Sequence, residues 1–252
     1  MVEPLATGAA IVGLGWAGKK VLGPSFDELG EQLRVYFSGR LSKISEKIDE
    51  IGLRSDTKPL PAGFAYLAIQ KASFSEDEEL ITTMWARLLI DAATEYKPRH
   101  VLIADILSQL TADDAKELDG VVSVDYLNNF STGVQVNVRN NLREYFEKIL
   151  KQPPHTLVDT QRLVSQVMMA KPYWPSIISN VHVPYLEGSE NELRWYRGMQ
   201  GASTSHDVLM RQGLLERFSF DLNSSSPSPT VEGLMITGLG LEFLDACRNG
   251  SE

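Results

Sequence analysis

The first residues that could do chemistry are three glycines near the N-terminus. Gly13, Gly15 and Gly18 follow Ala10-Ile11-Val12, and together they spell the fingerprint that binds a dinucleotide pyrophosphate. That fingerprint needs a helix directly after it and further strand–helix units behind it. Gly23-Pro24 interrupts such a helix early, and no regular alternation of strands and helices follows. We therefore expect no bound dinucleotide here.

Metal or nucleophile chemistry would need histidine, cysteine or carboxylate side chains at characteristic spacings. The four histidines are His100, His155, His182 and His206, and the single cysteine is Cys247. They are scattered along the chain and show no spacing typical of a zinc site. No Gly-x-Ser-x-Gly elbow and no Walker loop occurs. The acidic run Glu76–Glu79 could bind a cation, but a helix start explains it better. Asp113 and Asp114 would point about 100° apart on a helix and suit caps. We expect no metal, no cofactor and no enzymatic activity.

The composition is that of an ordinary globular protein with an acidic balance. Of the 252 residues, 43% are hydrophobic and 23% are charged, and the net charge is −9. Phosphate backbones repel such a chain, so nucleic acid is not the expected partner. No uncharged apolar run approaches the roughly 20 residues that span a bilayer as a helix. Glu3 stands where a secretory signal carries a basic residue, and one cysteine fits a reducing compartment. We expect a cytoplasmic protein.

The N-terminal stretch of residues 4–20 is rich in glycine and alanine. It is uncharged except for Lys19 and Lys20 at its end. We expect residues 1–22 to form a separate segment that packs on the domain. Small residues also let backbones approach closely, so the segment could pair with a copy of itself. Trp16, Lys19 and Lys20 suit a membrane surface, which would place the protein at the periphery of the inner membrane.

The most consistent helix signal runs through residues 73–93. Ser75 and Glu78 have the spacing of a capping box, and the acidic residues around them suit the positive end of a helix dipole. Apolar residues then recur on a wide face: Leu80, Ile81, Met84, Trp85, Leu88 and Leu89. We predict a buried helix from Ser75 to about Glu95, with Trp85 in the core.

Further helices are predicted on both sides of this one. A long amphipathic helix opens at Ser25 and ends at Gly52. Its basic residues, Arg40, Lys43 and Lys47 among them, lie off the apolar stripe beside acidic residues, and these mixed signs favour a solvated face. Shorter helices are predicted over residues 61–72, 100–110 (with Leu102 on its apolar row), 111–118 (capped by Thr111 with Asp114), 134–152 and 156–170.

Pro153-Pro154 marks the predicted boundary between a helical domain, residues 23–152, and a C-terminal domain, residues 153–252. We expect a polar loop over Tyr185–Glu192. The end of the chain is predicted to run helix, strand, polar tip, strand and helix over residues 203–212, 214–220, 223–229, 233–237 and 238–247. This order resembles a winged helix. The predicted fold is mainly α: a multi-helix bundle followed by a winged-helix-like α/β module with a small β-hairpin.

A winged helix often binds DNA through the helix before the wing. Here that helix offers Ser205, His206 and Arg211 as candidate binding residues, against Asp207. The wing tip has no lysine or arginine. Because DNA-reading surfaces show clustered basic residues, we favour a protein partner over DNA.

Several stretches resemble the Abi-alpha family in their order and spacing: Leu22-Gly23-Pro24, Glu28-Leu29-Gly30, Ser73–Leu80, Trp85–Leu89, Ile106–Ala115 and, near the C-terminus, Thr237–Phe243. This bacterial family is associated by name with abortive infection of phage-infected cells. The resemblance covers roughly Leu22 to Leu118 and resumes at the end of the chain. It implies caps and apolar ridges but no catalytic residue. Arg87 stands where relatives often have asparagine, and we take it as a further candidate binding residue.

Two hypotheses from different classes follow. The first is a non-enzymatic anti-phage defence component that acts through protein–protein contact and through the membrane, and that can self-associate. The alternative is a winged-helix transcriptional regulator that binds DNA. Salt-dependent retention of DNA would distinguish them.

Overall fold

The computed structural model describes residues 30–53, 56–122, 138–149, 157–169, 176–187, 192–199, 203–222 and 228–248. The predicted segment 1–22 and the predicted boundary at Pro153-Pro154 lie outside these residues.

The elements in chain order are α1 (Gly30–Ile51), α2 (Ala62–Phe74), α3 (Glu79–Thr94), α4 (Arg99–Leu107), α5 (Ala112–Val121), α6 (Val138–Ile149), α7 (Leu157–Met169), β1 (Ser176–Glu187), β2 (Glu192–Met199), α8 (Thr204–Arg211), β3 (Leu215–Asp221), β4 (Thr230–Ile236) and α9 (Gly238–Arg248). The fold is mainly α, as predicted. Among the described helices, none is both long and apolar enough to cross a membrane.

The described residues divide into two compact units. The helical unit contains those up to Ala115 together with those from Leu244, and the sheet unit contains those from Lys116 to Phe243. In the helical unit, α3 packs against α1 and α4, and α2 packs against α1 and α4. Ten of the sixteen residues of α3 are buried, so α3 is its central helix. Trp85 has no exposed surface, which confirms its predicted place in the core.

The predicted start of the central helix is wrong by four residues. α2 continues to Phe74, and Ser75 is its C-cap, with Oγ donating to the carbonyl of Ala72 at 2.7 Å. α3 begins at Glu79 after Glu78, which makes no side-chain capping bond. The capping box predicted between Ser75 and Glu78 therefore does not form. The serine hydroxyl instead closes the preceding helix and accepts the indole N–H of Trp85 at 3.0 Å.

Two other predicted helix ends are confirmed. Gly52 has a positive φ of 84° and donates its N–H to the carbonyl of Ile48 at 3.0 Å, as an αL cap does. At the start of α5, Asp114 Oδ2 accepts the N–H of Thr111 at 2.9 Å, and Thr111 Oγ1 accepts the N–H of Asp114 at 3.2 Å. The predicted inward position of Leu102 is wrong, because 48% of this residue is exposed.

The sheet unit contains a four-stranded antiparallel sheet in the order β2-β1-β4-β3. The predicted hairpin is its β3–β4 half, paired from Leu215↔Ile236 to Asp221↔Thr230. β1 pairs with β4 on one side and with β2 on the other, and its register shifts between Ile178 and Asn180. α7 packs on β1 and β2, and α6 packs on β4. The core between them is Phe146, Val164, Val167, Val181, Val183, Phe218, Phe220, Leu222, Val231 and Met235.

The polar loop predicted over Tyr185–Glu192 is wrong at both ends. β1 continues through Glu187, and β2 begins at Glu192. Pro184 lies inside β1, where a proline argues against a strand assignment from sequence. The bulge near Ser179 also breaks the strict alternation by which strands are recognised.

Candidate functional site

The helix before the hairpin, α8, begins with a capping box in which histidine takes the usual place of glutamate. Ser203 is the N-cap, and its Oγ accepts the N–H of Ser205 at 3.2 Å. His206 Nδ1 accepts the N–H of Ser203 at 3.4 Å. Ser205 and His206 keep only 8% and 9% of their surface exposed. These two candidate binding residues therefore lie inside the protein, where they fasten the start of α8.

The second ring nitrogen of His206 bonds a carboxylate on another helix. Nε2 lies 2.8 Å from Oε1 of Glu117 on α5, a residue 89 positions earlier in the chain. Because the backbone N–H of Ser203 can only donate, Nδ1 carries no proton and Nε2 carries one. The imidazole is therefore neutral, and both of its nitrogens are satisfied. This pair fixes α8 against α5.

The outer surface of α8 and the hairpin, which we call the α8–hairpin surface, exposes charges of both signs. On α8, Thr204, Asp207 and the candidate residue Arg211 are exposed. The exposed charged residues of the strands are Glu216, Arg217, Asp221 and Glu232. Glu216 points to the face of β3 that carries Phe218 and Phe220, opposite to Arg217, Asp221 and Glu232. On the outer side two arginines thus stand against three carboxylates, so the surface is acidic and does not attract a phosphate backbone.

A second polar cluster lies in the helical unit, where Arg40 of α1 reaches the connection between α2 and α3. Its guanidinium donates to four acceptors: Asp77 Oδ1 at 2.7 Å, the carbonyl of Glu76 at 2.7 Å, Thr82 Oγ1 at 2.5 Å and Ser75 Oγ at 3.5 Å. Only 8% of the Arg40 side chain is exposed, so its predicted place on a solvated face is wrong. Arg40 fastens α1 to the start of the central helix.

Asp77 connects this cluster to solvent. Its Oδ1 pairs with the guanidinium of Arg40 and its Oδ2 pairs with the ammonium of Lys43. More than half of the Asp77 side chain is exposed. The hydrogen bond from Lys43, with the positive charges of Lys43 and Arg40, lowers the pKa of Asp77. Burial lowers the pKa of Arg40, and Asp77 opposes that shift. The ion pairs hold the connection in place between the two helices.

The acidic run before α3 is also used structurally. Glu76 Oε2 accepts the N–H of Ala112 at the start of α5, and Glu79 pairs with Lys47 at 3.3 Å. Within the part of the chain that the structure describes, no group of three histidine, cysteine or acidic residues is arranged to hold a metal ion.

His100, Asp91 and Cys247 are of the types that could build a nucleophile site. His100 Nδ1 accepts the N–H of Lys97 at 2.9 Å, and Nε2 bonds Asp91 Oδ2 at 2.9 Å, so neither nitrogen is left to act on a thiol. Burial raises the pKa of Cys247 well above its ordinary value, and the charge of Asp91 adds to the shift. The thiol stays protonated, so the three residues do not form a nucleophile–base pair.

The remaining candidate residues are not brought together by the structure. Arg87 lies on the partly exposed side of α3 in the helical unit, and its Nε is buried without a hydrogen-bond partner. Trp16, Lys19 and Lys20 lie outside the described residues. Their part in binding stays a prediction.

Sequence reasoning missed Arg40 and Glu117, the two residues that hold these clusters together. Arg40 precedes Ile44 by four positions and Ile48 by eight, and both isoleucines are fully buried. Its helical register thus places it on the apolar row, a signal that the sequence contains. No local pattern marks Glu117, because its partner lies 89 positions away.

A family model described as "Abortive infection alpha" (Abi_alpha) matches residues 37–247. No curated protein and no solved structure matches the chain. Since the match spans most of the 252 residues, the chain belongs to the abortive infection alpha family, which confirms the resemblance. The match begins after Leu22–Gly30, so the first two stretches of the resemblance lie outside it.

Proposed function

We propose that this member of the abortive infection alpha family is a non-enzymatic component of anti-phage defence that acts by binding a protein partner. The α8–hairpin surface is the proposed contact. α8 is fixed at its start by the capping box and by Glu117, and it packs on β3, so it presents its outer residues on a rigid base. Rigid presentation lowers the entropy that a binding surface loses on contact.

The charge of the α8–hairpin surface is the observation that carries this proposal. Two exposed arginines against three exposed carboxylates favour a protein with mixed or basic charge over nucleic acid. A winged helix that reads DNA would need basic residues on α8 and on the strands of its wing. The same observation therefore speaks against the transcriptional regulator.

The chemistry of the buried polar groups supports a non-enzymatic role. His100 and His206 each use both ring nitrogens in structural bonds, and the thiol of Cys247 is protonated and enclosed. General acid–base and nucleophilic catalysis both need such groups to face a substrate. These residues serve the fold instead.

The N-terminal stretch of residues 4–20 adds a second contact in this proposal. Trp16, Lys19 and Lys20 would meet the inner face of the inner membrane from the cytoplasm, and the small residues would allow copies of the chain to pair. A soluble body with a membrane-facing segment can bind its partner where both are concentrated.

The test exchanges charges on the proposed surface without changing the net charge. Asp207 and Arg211 are exposed four residues apart on α8. Asp207→Arg combined with Arg211→Asp reverses their pattern. Arg143 and Glu147, an exposed pair at 2.8 Å on α6, offer the matched control through Arg143→Glu with Glu147→Arg.

Plaque counts on a phage that the parent chain restricts give the readout. We expect the α8 exchange to abolish protection and the α6 exchange to preserve it, at equal soluble protein levels. Equal protection by both variants would show that the partner binds elsewhere. Retention of DNA by the purified chain at physiological salt, lost in the α8 exchange, would replace the proposal by the regulator.

A further inference from the structure

His100 and His206 have the same bonding pattern but different access to solvent. Each accepts at Nδ1 the backbone N–H of the residue three positions earlier, and each bonds a carboxylate through Nε2. The side chain of His100 is fully enclosed. In the other pair, 11% of the His206 side chain and 39% of the Glu117 side chain are exposed. The His206–Glu117 pair is therefore partly open to solvent, whereas His100 is enclosed.

We propose that His206 and Glu117 form a proton-sensitive clasp that fixes the first turn of α8 only while the imidazole is neutral. Imidazole is the side chain that changes charge between about pH 5 and 8. A proton on Nδ1 turns the acceptor into a donor that faces the N–H of Ser203, so the bond from Ser203 to the ring breaks, while the bond from the Ser205 N–H to Ser203 Oγ remains. Nε2 keeps its proton and its contact with Glu117, which becomes an ion pair.

The charged groups around the ring define what protonation changes. Glu117 on α5 bonds the ring directly. Asp207 and Arg211 lie exposed on α8 itself, and β3, against which α8 packs, contributes the exposed Glu216 and Arg217. Solvent screens these four charges, whereas the Glu117 contact is partly enclosed. Acidification thus releases the turn at Ser203 while the ring still holds α8 to α5.

This clasp goes beyond the proposed function, because it concerns the conformation of α8 with or without a partner. Its consequence is that the N-terminal end of the α8–hairpin surface changes shape with pH. The exposed Thr204 lies in the turn that opens.

The test is amide hydrogen exchange of the full chain without any partner, between about pH 8 and pH 5.5, with rates corrected for the intrinsic effect of pH. We expect the protection of the Ser203 amide to fall about fivefold on acidification, the factor that corresponds to loss of one helix cap. The midpoint should coincide with the titration of the His206 ring protons followed by NMR.

Two variants separate the clasp from general acid effects. His206→Gln keeps an N3 side chain that suits a capping box but cannot be protonated, so its Ser203 protection should not change with pH. Glu117→Gln keeps an acceptor for Nε2 and has no proton to gain, so its Ser203 protection should fall on acidification as in the parent chain, which separates protonation of the ring from protonation of Glu117.

The proposal is overturned if protection at Ser203 stays constant in the parent chain while the His206 ring titrates. It is also overturned if His206→Gln loses protection as the parent does. Should His206→Gln fail to fold, Ser203 protection that stays constant with pH in Glu117→Gln overturns the proposal in its place.

Discussion

The indole N–H of Trp85 donates a hydrogen bond across 3.0 Å to the hydroxyl of Ser75, the residue that ends α2. The indole has no exposed surface, so this bond satisfies a donor that water cannot reach. The same hydroxyl donates to the carbonyl of Ala72 at 2.7 Å. Ser75 therefore closes one helix and accepts a hydrogen bond from the largest buried side chain of the next, which ties the two helices together.

Truncation of Trp85 should be the most destabilising of the core changes in the helical unit. Trp85→Ala removes a fully buried ring and should lower the free energy of unfolding by about 3–5 kcal/mol. Ser75→Ala leaves the indole donor unpaired and should cost about 1–3 kcal/mol. Thr83→Ala, which removes a half-exposed hydroxyl bonded to the carbonyl of Glu79, is the control and should stay within about 0.5 kcal/mol. Urea titrations followed by circular dichroism measure all three, and an unchanged midpoint for Trp85→Ala would contradict the packing described.

Arg40 should matter far more to stability than its neighbour Lys43, although both bond Asp77. Arg40→Met removes a nearly buried guanidinium from four acceptors and should cost about 2–3 kcal/mol. Lys43 and Asp77 are each 56% exposed, so Lys43→Met should cost at most about 0.5 kcal/mol. Arg40→Lys should not rescue the loss, because an ammonium cannot span the fork of acceptors. Urea titrations compare the three variants, and equal costs for Arg40→Met and Lys43→Met would show that the cluster is a solvated ion pair.

Gly240 should not tolerate a side chain. A Cβ at this position would meet the carbonyl oxygen of Leu214, which is backbone and cannot turn aside, and Cγ1 of Ile236 at 2.6 Å. Gly240→Ala should therefore cost about 3 kcal/mol by overpacking. Gly238→Ala is the control, since nothing lies within 4 Å of its Cβ, and should change stability by less than about 1 kcal/mol. Thermal unfolding measures the melting temperature of each variant. Equal melting temperatures for the two variants would contradict the close approach of Gly240 to Leu214 and Ile236.

The thiol of Cys247 should be unreactive in the native protein. Burial raises its pKa well above the ordinary value, so little thiolate is present at neutral pH. Because only local opening exposes the thiol, maleimide labelling in buffer should be slower than in urea by at least about two orders of magnitude. Mass spectrometry counts the added groups. Equal labelling rates in the two solvents would mean that the thiol of Cys247 is not enclosed in the native protein.

The helices can be predicted from the sequence because their apolar residues recur at local spacing. The rows through Ile44 and Ile48 and through Trp85 indicate α1 and α3, and Gly52 indicates a helix end, without any distant contact. The start of α3 cannot be predicted in this way, since the spacing of Ser75 and Glu78 fits two structures and tertiary packing selects the one in which α2 is longer.

The sheet and the clasp depend on contacts that are distant in sequence. The hairpin of β3 and β4 is local and can be predicted, whereas β1 joins β4 across more than forty residues and contains Pro184. The sequence pattern assigns Ser205 and His206 to an outer surface, but their burial follows from Ser203 and Glu117. Arg211, whose exposure needs no distant partner, lies where the helical pattern puts it.

The most direct test of the proposed protein contact is a photo-activated cross-linking side chain placed in the full chain during phage infection. At position 207, on the outer surface of α8, we predict an infection-dependent adduct with one protein. At position 143, which is also exposed and lies on α6, we predict none. Nucleic acid cross-linked at position 207, or the same protein cross-linked at both positions, would contradict the account.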